Sequence, residues 1–227
     1  PPSVVPKVAL STDLNRNNWQ HLDPINDSVP GMSVDKAYKE LIKDAEGQTV
    51  VVAVLDTGID IKHEDLKDNI WTNKKEIPGN NIDDDKNGFV DDVYGWNFLG
   101  EAYYEQLELT RLLGKGEDFP EKEDAQKDYD KRLAEARGEE TLKYYLNYDF
   151  KGRTTGDDPD NFEQRFYGDN KVEHSREDES HGTHVAGIIA AARNNNLGMK
   201  GVANNVEIMT LRVVPYGDEY DKDVALG

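Results

Sequence analysis

The amino-acid sequence predicts an α/β fold in which parallel strands are covered by helices. Two apolar runs rich in β-branched residues, 49–55 and 206–214, are typical of strands buried on both faces. Between them, residues 184–192 are apolar and mostly small, as expected of a helix packed closely on a sheet. The order strand, helix, strand favours parallel pairing, because parallel strands need a crossover connection.

The first part of the chain leads into this core. Residues 1–27 contain three early prolines and few periodic apolar positions, so we expect an extended N-terminal arm. Residues 33–42 have helical spacing and predict a helix before the first strand.

The middle of the chain is strongly acidic. Residues 101–180 hold 23 acidic and 13 basic residues. The net charge of this segment, -10, is over half of the chain's formal net charge of -19. Up to about residue 148 the spacing of Tyr, Leu and Ala is loosely helical. We therefore interpret 101–176 as an acidic, partly helical insertion into a core formed by 28–100 and 177–227.

Composition excludes several classes of function. With 46 acidic and 27 basic residues the chain lacks the clustered cations that nucleic acids or anionic membranes require. There are no cysteines, which excludes disulfides, thiolate zinc sites and a cysteine nucleophile. No apolar run approaches the roughly 18 residues of a membrane span, and the first residues lack the pattern of a signal peptide.

Two short segments carry the chemistry. Asp56-Thr57-Gly58 follows the first apolar run directly, so the carboxylate lies at the carboxyl end of a strand, where open α/β sheets place active sites. His181 opens the helix His-Gly-Thr-His-Val-Ala-Gly, in which Gly182 and Gly187 permit close backbone packing. An Asp that accepts from one imidazole nitrogen leaves the other nitrogen free to act as a general base.

These segments, together with 194–203, resemble the motifs of subtilisin-like serine peptidases (subtilases), which occur in the order Asp, His, Ser. The resemblance covers about residues 28–73 and 177–224. It implies a subtilisin-like parallel sheet flanked by helices, incomplete in this chain, with Asp56 as orienting carboxylate and His181 as general base. The sequence departs from the family because Asp56 and His181 are 125 positions apart, more than compact family members need.

The nucleophile of the family is missing. None of the six serines lies in the Gly-Thr-Ser motif of the family, so the chain alone is expected to be inactive. The resemblance implies an exported serine endopeptidase acting on polypeptides, with the Ser on the remainder of the protease domain or on a second chain. The alternative is an inactive calcium-binding or interaction module, or a pseudoprotease fragment.

Structural calcium is the second chemical theme. Residues 83–92 present oxygen atoms at alternate positions with Gly88 at the sixth, like the front of an EF-hand loop, although position twelve is Tyr94 rather than Glu. The expected ligands are Asp83, Asp85, Asn87 and Asp91 by side chain and Phe89 by its carbonyl. A plain acidic turn is the alternative.

The resemblance implies a separate calcium site. Its ligands would be the side chains of Asp65 and Asn195 and the carbonyls of Arg193, Leu197 and Met199. The alternative is a loop held by hydrogen bonds alone.

The family also suggests where a substrate binds. Glu179 borders the expected pocket for the second residue on the acyl side of the cleaved bond, where it would favour a basic side chain; a solvated acid is the alternative. Residues 216–220, including Gly217, Asp218 and Tyr220, are expected to receive an extended peptide as an edge strand. His184 is expected to be a buried, hydrogen-bonded histidine rather than a zinc ligand beside His181.

Overall fold

The computed structural model describes residues 16–43, 47–174, 176 and 178–227, so residues 1–15 of the expected arm lie outside the described part. The strands are β1 Val50–Asp56, β2 Gly95–Asn97 and β3 Val206–Arg212. The α-helices are α1 Val34–Ala37, α2 Glu108–Lys115, α3 Lys122–Glu135, α4 His181–Ala190 and α5 Asp221–Leu226. Short 3-10 turns span Trp19–His21 and Lys67–Asn69, and π-helical turns span Tyr38–Ile42 and Thr141–Tyr145.

The strands form one sheet in the order β1-β3-β2, which confirms the predicted α/β class. β2 pairs in parallel with β3, with Gly95 opposite Thr210 and Asn97 opposite Arg212. Gly95 has a φ of 122°, and a Cβ there would meet the carbonyl oxygen of Thr210, so only glycine fits this approach. The first residues of β1 are not buried as the sequence suggested, because the described residues leave Val50 56% and Val51 45% exposed.

The chain forms two compact units, and β1 and β3 contribute residues to both. The first unit consists of the described residues within Pro1–Val54, Asp60–Trp71 and Thr183–Met209. Its buried centre includes Ile208, Ala186 and Leu66. His21 is fully buried and donates from Nε2 to the carbonyl oxygen of Lys200 at 2.8 Å, while burial lowers its pKa.

The second unit consists of Leu55–Ile59, Thr72–Gly182 and Thr210–Gly227. It contains α2 and α3, so the expected insertion does carry helices. The hydroxyl of Tyr129 on α3 donates to the carbonyl oxygen of Leu146 at 2.8 Å, and both residues are buried. In the described part of the chain, every helix is too short or too polar to cross a lipid bilayer.

A buried ion-pair cluster joins residues 153–157 to α5 within the second unit. Arg153 donates to Asp223 at 2.8 and 2.9 Å and to Asp157 at 2.9 and 3.0 Å. Lys222 donates to Asp157 at 2.6 Å. The four charged side chains are at most 9% exposed. Each charge therefore depends on its oppositely charged partners to offset the cost of desolvation.

Candidate catalytic site

Asp56 and His181, both in the second unit, lie in direct contact despite the long stretch between them. The imidazole Nδ1 is 2.8 Å from Asp56 Oδ1 and 2.9 Å from Oδ2. Asp56 ends β1 and His181 opens α4. The Asp56 side chain is 11% exposed and that of His181 74%. The carboxylate is therefore shielded, while the imidazole faces outward.

Backbone contacts hold the carboxylate in place. The amide of Thr57 donates to Asp56 Oδ1 at 2.7 Å. The amides of Val213 and Val214, which follow β3, donate to the Asp56 carbonyl oxygen at 3.0 and 3.2 Å. The amide of Gly182 donates to the Thr57 hydroxyl at 3.2 Å, which links the start of α4 to the end of β1.

The two glycines of the helix behave differently. A Cβ on Gly182 would lie 2.3 Å from the Gly58 carbonyl oxygen and 3.2 Å from the Asp56 side chain, so the helix can approach β1 only without one. At Gly187 a Cβ would meet no atom of the described residues within 4 Å, so the expected close packing does not occur there. His184 is exposed rather than buried. It lies on the same face of the helix as Ile188, and the described residues leave that face open to solvent.

The arrangement is that of a general base oriented by an acid. Because Asp56 accepts the hydrogen bond from Nδ1, the other imidazole nitrogen is left to take a proton from a reactant. The neighbouring carboxylate also stabilises the ring once it is protonated. A comparison with protein families decides the relationship: the model of the subtilase family matches residues 47–225.

The chain belongs to the subtilase family.

Individual proteases are also similar to this chain. The "Subtilisin-like protease 1" of Plasmodium falciparum is 28% identical over 177 residues, which are 78% of this chain and 16% of that protein. The "Major intracellular serine protease" of Bacillus subtilis is 39% identical over 83 residues, 37% of this chain and 24% of that protein. The "Extracellular basic protease" of Dichelobacter nodosus is 45% identical over 47 residues, 21% of this chain and 8% of that protein. The chain thus spans under a quarter of the curated relatives it matches.

Glu179 has a different environment from the one expected beside a substrate pocket. It is 3% exposed, and its Oε1 accepts a hydrogen bond from Arg212 at 3.2 Å. Sequence reasoning did not single out Arg212, although a cation within an apolar strand run is a signal, because a buried charge requires a partner.

The segment 216–220 already pairs along one of its edges. The Tyr216 amide donates to the Tyr103 carbonyl at 2.7 Å, and the Glu105 amide donates to the Tyr216 carbonyl at 2.9 Å. A Cβ on Gly217, whose φ is 141°, would lie 2.3 Å from the Glu105 carbonyl oxygen.

Two side chains of this segment, Asp218 and Tyr220, have partners inside the second unit. Asp218 accepts a hydrogen bond from the Glu108 amide at 2.8 Å. Tyr220 is 9% exposed, and its ring lies 4.7 Å from the Arg153 guanidinium and 5.3 Å from that of Arg111. Burial raises the pKa of Tyr220, so its hydroxyl stays protonated.

The acidic loop assembles a ligand set that differs from the expected one. Carboxylate oxygens of Glu76, Asp83 and Asp85 lie within 4.8 Å of one another. Asp91 is directed elsewhere, since its carboxylate accepts from the Gly79 and Asn81 amides at 2.8 and 2.9 Å. Glu76 lies outside the EF-hand-like spacing, so no local motif signals it.

The two other expected ligands of this loop, the Asn87 side chain and the Phe89 carbonyl, stay predictions. Asn87 donates from its side chain to Asp92 at 2.9 Å. The Phe89 ring packs against Trp96 at 4.9 Å between centroids.

The electrostatics of the acidic loop suit a cation. Burial raises the pKa of Asp92, and the negative charges of Asp85 and Glu76 act in the same direction, against hydrogen bonds from Asn87 and Asn73. Clustered carboxylates of this kind repel one another, and an oxygen-seeking ion such as Ca2+ offsets that repulsion.

Two residues of the second expected calcium site are in contact in the first unit. The Asn195 side chain donates to Asp65, and the Leu197 amide donates to Asn195 Oδ1 at 3.1 Å. Arg193 directs its side chain away, to the Gly201 carbonyl and to Asp35. Asp65 and Asn195 are thus in contact, and their sharing of an ion with the carbonyls of Arg193, Leu197 and Met199 stays a prediction.

Proposed function

We propose that this chain is part of a serine endopeptidase that hydrolyses peptide bonds through an Asp-His-Ser triad, with the Ser supplied by residues outside this sequence. Membership of the subtilase family supports a serine peptidase. The observation that carries the proposal is the contact of 2.8 Å between the buried Asp56 carboxylate and Nδ1 of the exposed His181.

The roles of the two residues follow from this contact. Nε2 of His181 removes the proton from the Ser hydroxyl while its oxygen bonds to the peptide carbonyl carbon. His181 then delivers that proton to the leaving nitrogen as the C–N bond breaks, which leaves an acyl-enzyme. Water repeats the sequence and releases the acid. Asp56 fixes the imidazole orientation and stabilises its protonated form throughout.

The substrate and metal assignments are part of the same proposal. The backbone of 216–220 would receive the polypeptide as an added strand. Ca2+ would be held by Glu76, Asp83 and Asp85, and a second ion by Asp65 and Asn195 with nearby carbonyls, where each would stabilise its loop. An extracellular relative is consistent with an exported protein, although the Bacillus subtilis relative is named as intracellular.

Fluorophosphonate labelling of a full-length protein that carries this chain tests the proposal. The probe phosphonylates only an activated Ser, so wild-type protein should label and His181→Ala should not. Asp56→Asn should label slowly, because replacing the orienting Asp of such a triad lowers turnover by about 10⁴-fold.

His184→Ala is the matched control, since this second histidine on α4 is exposed and lies outside the Asp56 contact. It should label like the wild type. A folded wild-type protein that does not label would refute the peptidase and favour a binding module that has kept the fold.

A further inference from the structure

The guanidinium of Arg212 is a buried charge beside the catalytic pair. Its side chain is 1% exposed, and that of Glu179 is also 1% exposed. Besides the Glu179 carboxylate, it donates to the Thr57 carbonyl at 3.0 Å and to the Ala102 carbonyl at 3.1 Å. Its Nη1 donates to Asn97 Oδ1 at 3.3 Å and to the Gly100 carbonyl at 3.2 Å. Only the planar fork of Arg can serve so many acceptors at once.

These partners flank both catalytic residues. Thr57 follows Asp56, and Glu179 lies two residues before His181. The residues after Arg212 add to the link, because the amides of Val213 and Val214 hold the Asp56 carbonyl. Arg212 therefore connects the end of β1 with the segment that enters α4, all within the second unit.

We propose that Arg212 and Glu179 are positioning residues that set the distance and angle between Asp56 and His181. An apolar pair of similar volume would fill the same space without the cost of removing two charges from water. Unlike an apolar pair, the ion pair makes directional hydrogen bonds. These bonds fix the Thr57 carbonyl and the Glu179 backbone relative to each other. The proposal rests on the proposed peptidase function for its kinetic consequence, but not for its geometry.

The test replaces both charges together in the full-length protein. Arg212→Met/Glu179→Leu leaves no unpaired buried charge, so the fold should persist while the link is lost. We expect kcat to fall by up to about 10²-fold with KM little changed, because small displacements of catalytic groups act on the chemical step. Arg212→Lys, which keeps the charge but not the fork, should recover part of kcat.

The matched control is Arg153→Met/Asp223→Leu. It removes another buried Arg–carboxylate pair of the second unit, with the Lys222–Asp157 pair left in place. Both double variants should stay folded, but only the first should reduce kcat. Equal kcat in the two double variants would overturn the positioning role and leave a structural one.

A spectroscopic measurement separates this inference from the peptidase proposal. The Nδ1 proton of His181, held by Asp56, gives a low-field NMR signal that requires no Ser and no substrate. The signal should shift or broaden in Arg212→Met/Glu179→Leu and stay unchanged in the Arg153→Met/Asp223→Leu control. An unaltered signal would overturn the inference, whereas absence of activity in the wild type with a shifted signal would count only against the peptidase.

Discussion

At the scale of single residues, the contact between Asp56 and His181 depends on the absence of a Cβ at Gly182. A Cβ there would meet the Gly58 carbonyl oxygen at 2.3 Å, and backbone cannot yield as a flexible side chain can. Gly182→Ala should therefore displace the start of α4 and lower the free energy of unfolding by about 1–3 kcal/mol, the usual cost of overpacking. Urea denaturation measures this change.

Gly187→Ala is the control on the same helix. A Cβ there meets no described atom within 4 Å, so Ala should raise the free energy of unfolding by about 0.5–1 kcal/mol through its better helix propensity. If the two substitutions had equal effects, close packing at Gly182 would not be what the site requires.

The sequence was sufficient to predict the contact between Asp56 and His181, because both residues lie in motifs whose order identifies the family. It was not sufficient for Arg212 or for the environment of Glu179. Their pairing joins a strand to a loop that is distant in sequence. The residues around a buried carboxylate therefore do not indicate which side chain neutralises it. The same reason explains why Glu76 was missed in the acidic loop.

At the scale of secondary-structure elements, α5 is anchored by buried charges. Burial opposes ionisation of Asp157, but hydrogen bonds from Arg153, Lys222 and Thr155 outweigh it and lower its pKa from 3.8 to about 2. A carboxyl with a depressed pKa stabilises the fold above its ordinary pKa and loses that contribution as the pH falls. The loss should therefore occur between about pH 4 and pH 2 and amount to about 2 kcal/mol.

Asp157→Asn isolates this contribution. The difference in unfolding free energy between wild type and variant should be constant above about pH 5 and shrink by about 2 kcal/mol towards pH 2. Denaturant titrations across this range measure it. Asp130→Asn, at an exposed position on α3, should change the free energy little at any pH. A difference for Asp157→Asn that does not vary with pH would show that Arg153 and Lys222 do not hold this carboxylate ionised.

The elements themselves were predictable to different degrees. The two long strands and α4 were predicted from continuous apolar runs, because burial selects such runs strongly. β2 was not, since Gly95–Asn97 is only three residues long and its pairing with β3 depends on a glycine whose φ is positive. The acidic composition of the expected insertion 101–176 gave no sign of buried charges, yet Arg153 and Asp157 are buried in it, because composition does not show which charges have found partners.

At the scale of the whole molecule, a net charge of -19 opposes the compact state, and bound cations would offset part of that repulsion. Like charges destabilise a compact state, and the carboxylates of Glu76, Asp83 and Asp85 concentrate that repulsion in one loop. Calcium binding at 100 times its Kd would stabilise the fold by about 2.7 kcal/mol. Chelation by EGTA should therefore lower the melting temperature of the full-length protein by roughly 5–10 °C.

Variants assign that loss to a site. Glu76→Gln should reduce the calcium-dependent shift, because it removes a charged oxygen from the cluster. Asp84→Asn should not, since Asp84 instead accepts from the Ile77 amide at 3.0 Å and from the Asn80 side chain at 2.8 Å. If the shift persisted in Glu76→Gln and vanished in Asp65→Asn, the stabilising ion would belong to the first unit. A melting temperature that EGTA leaves unchanged would refute calcium at both sites, and the loop would then be held by its own amide hydrogen bonds.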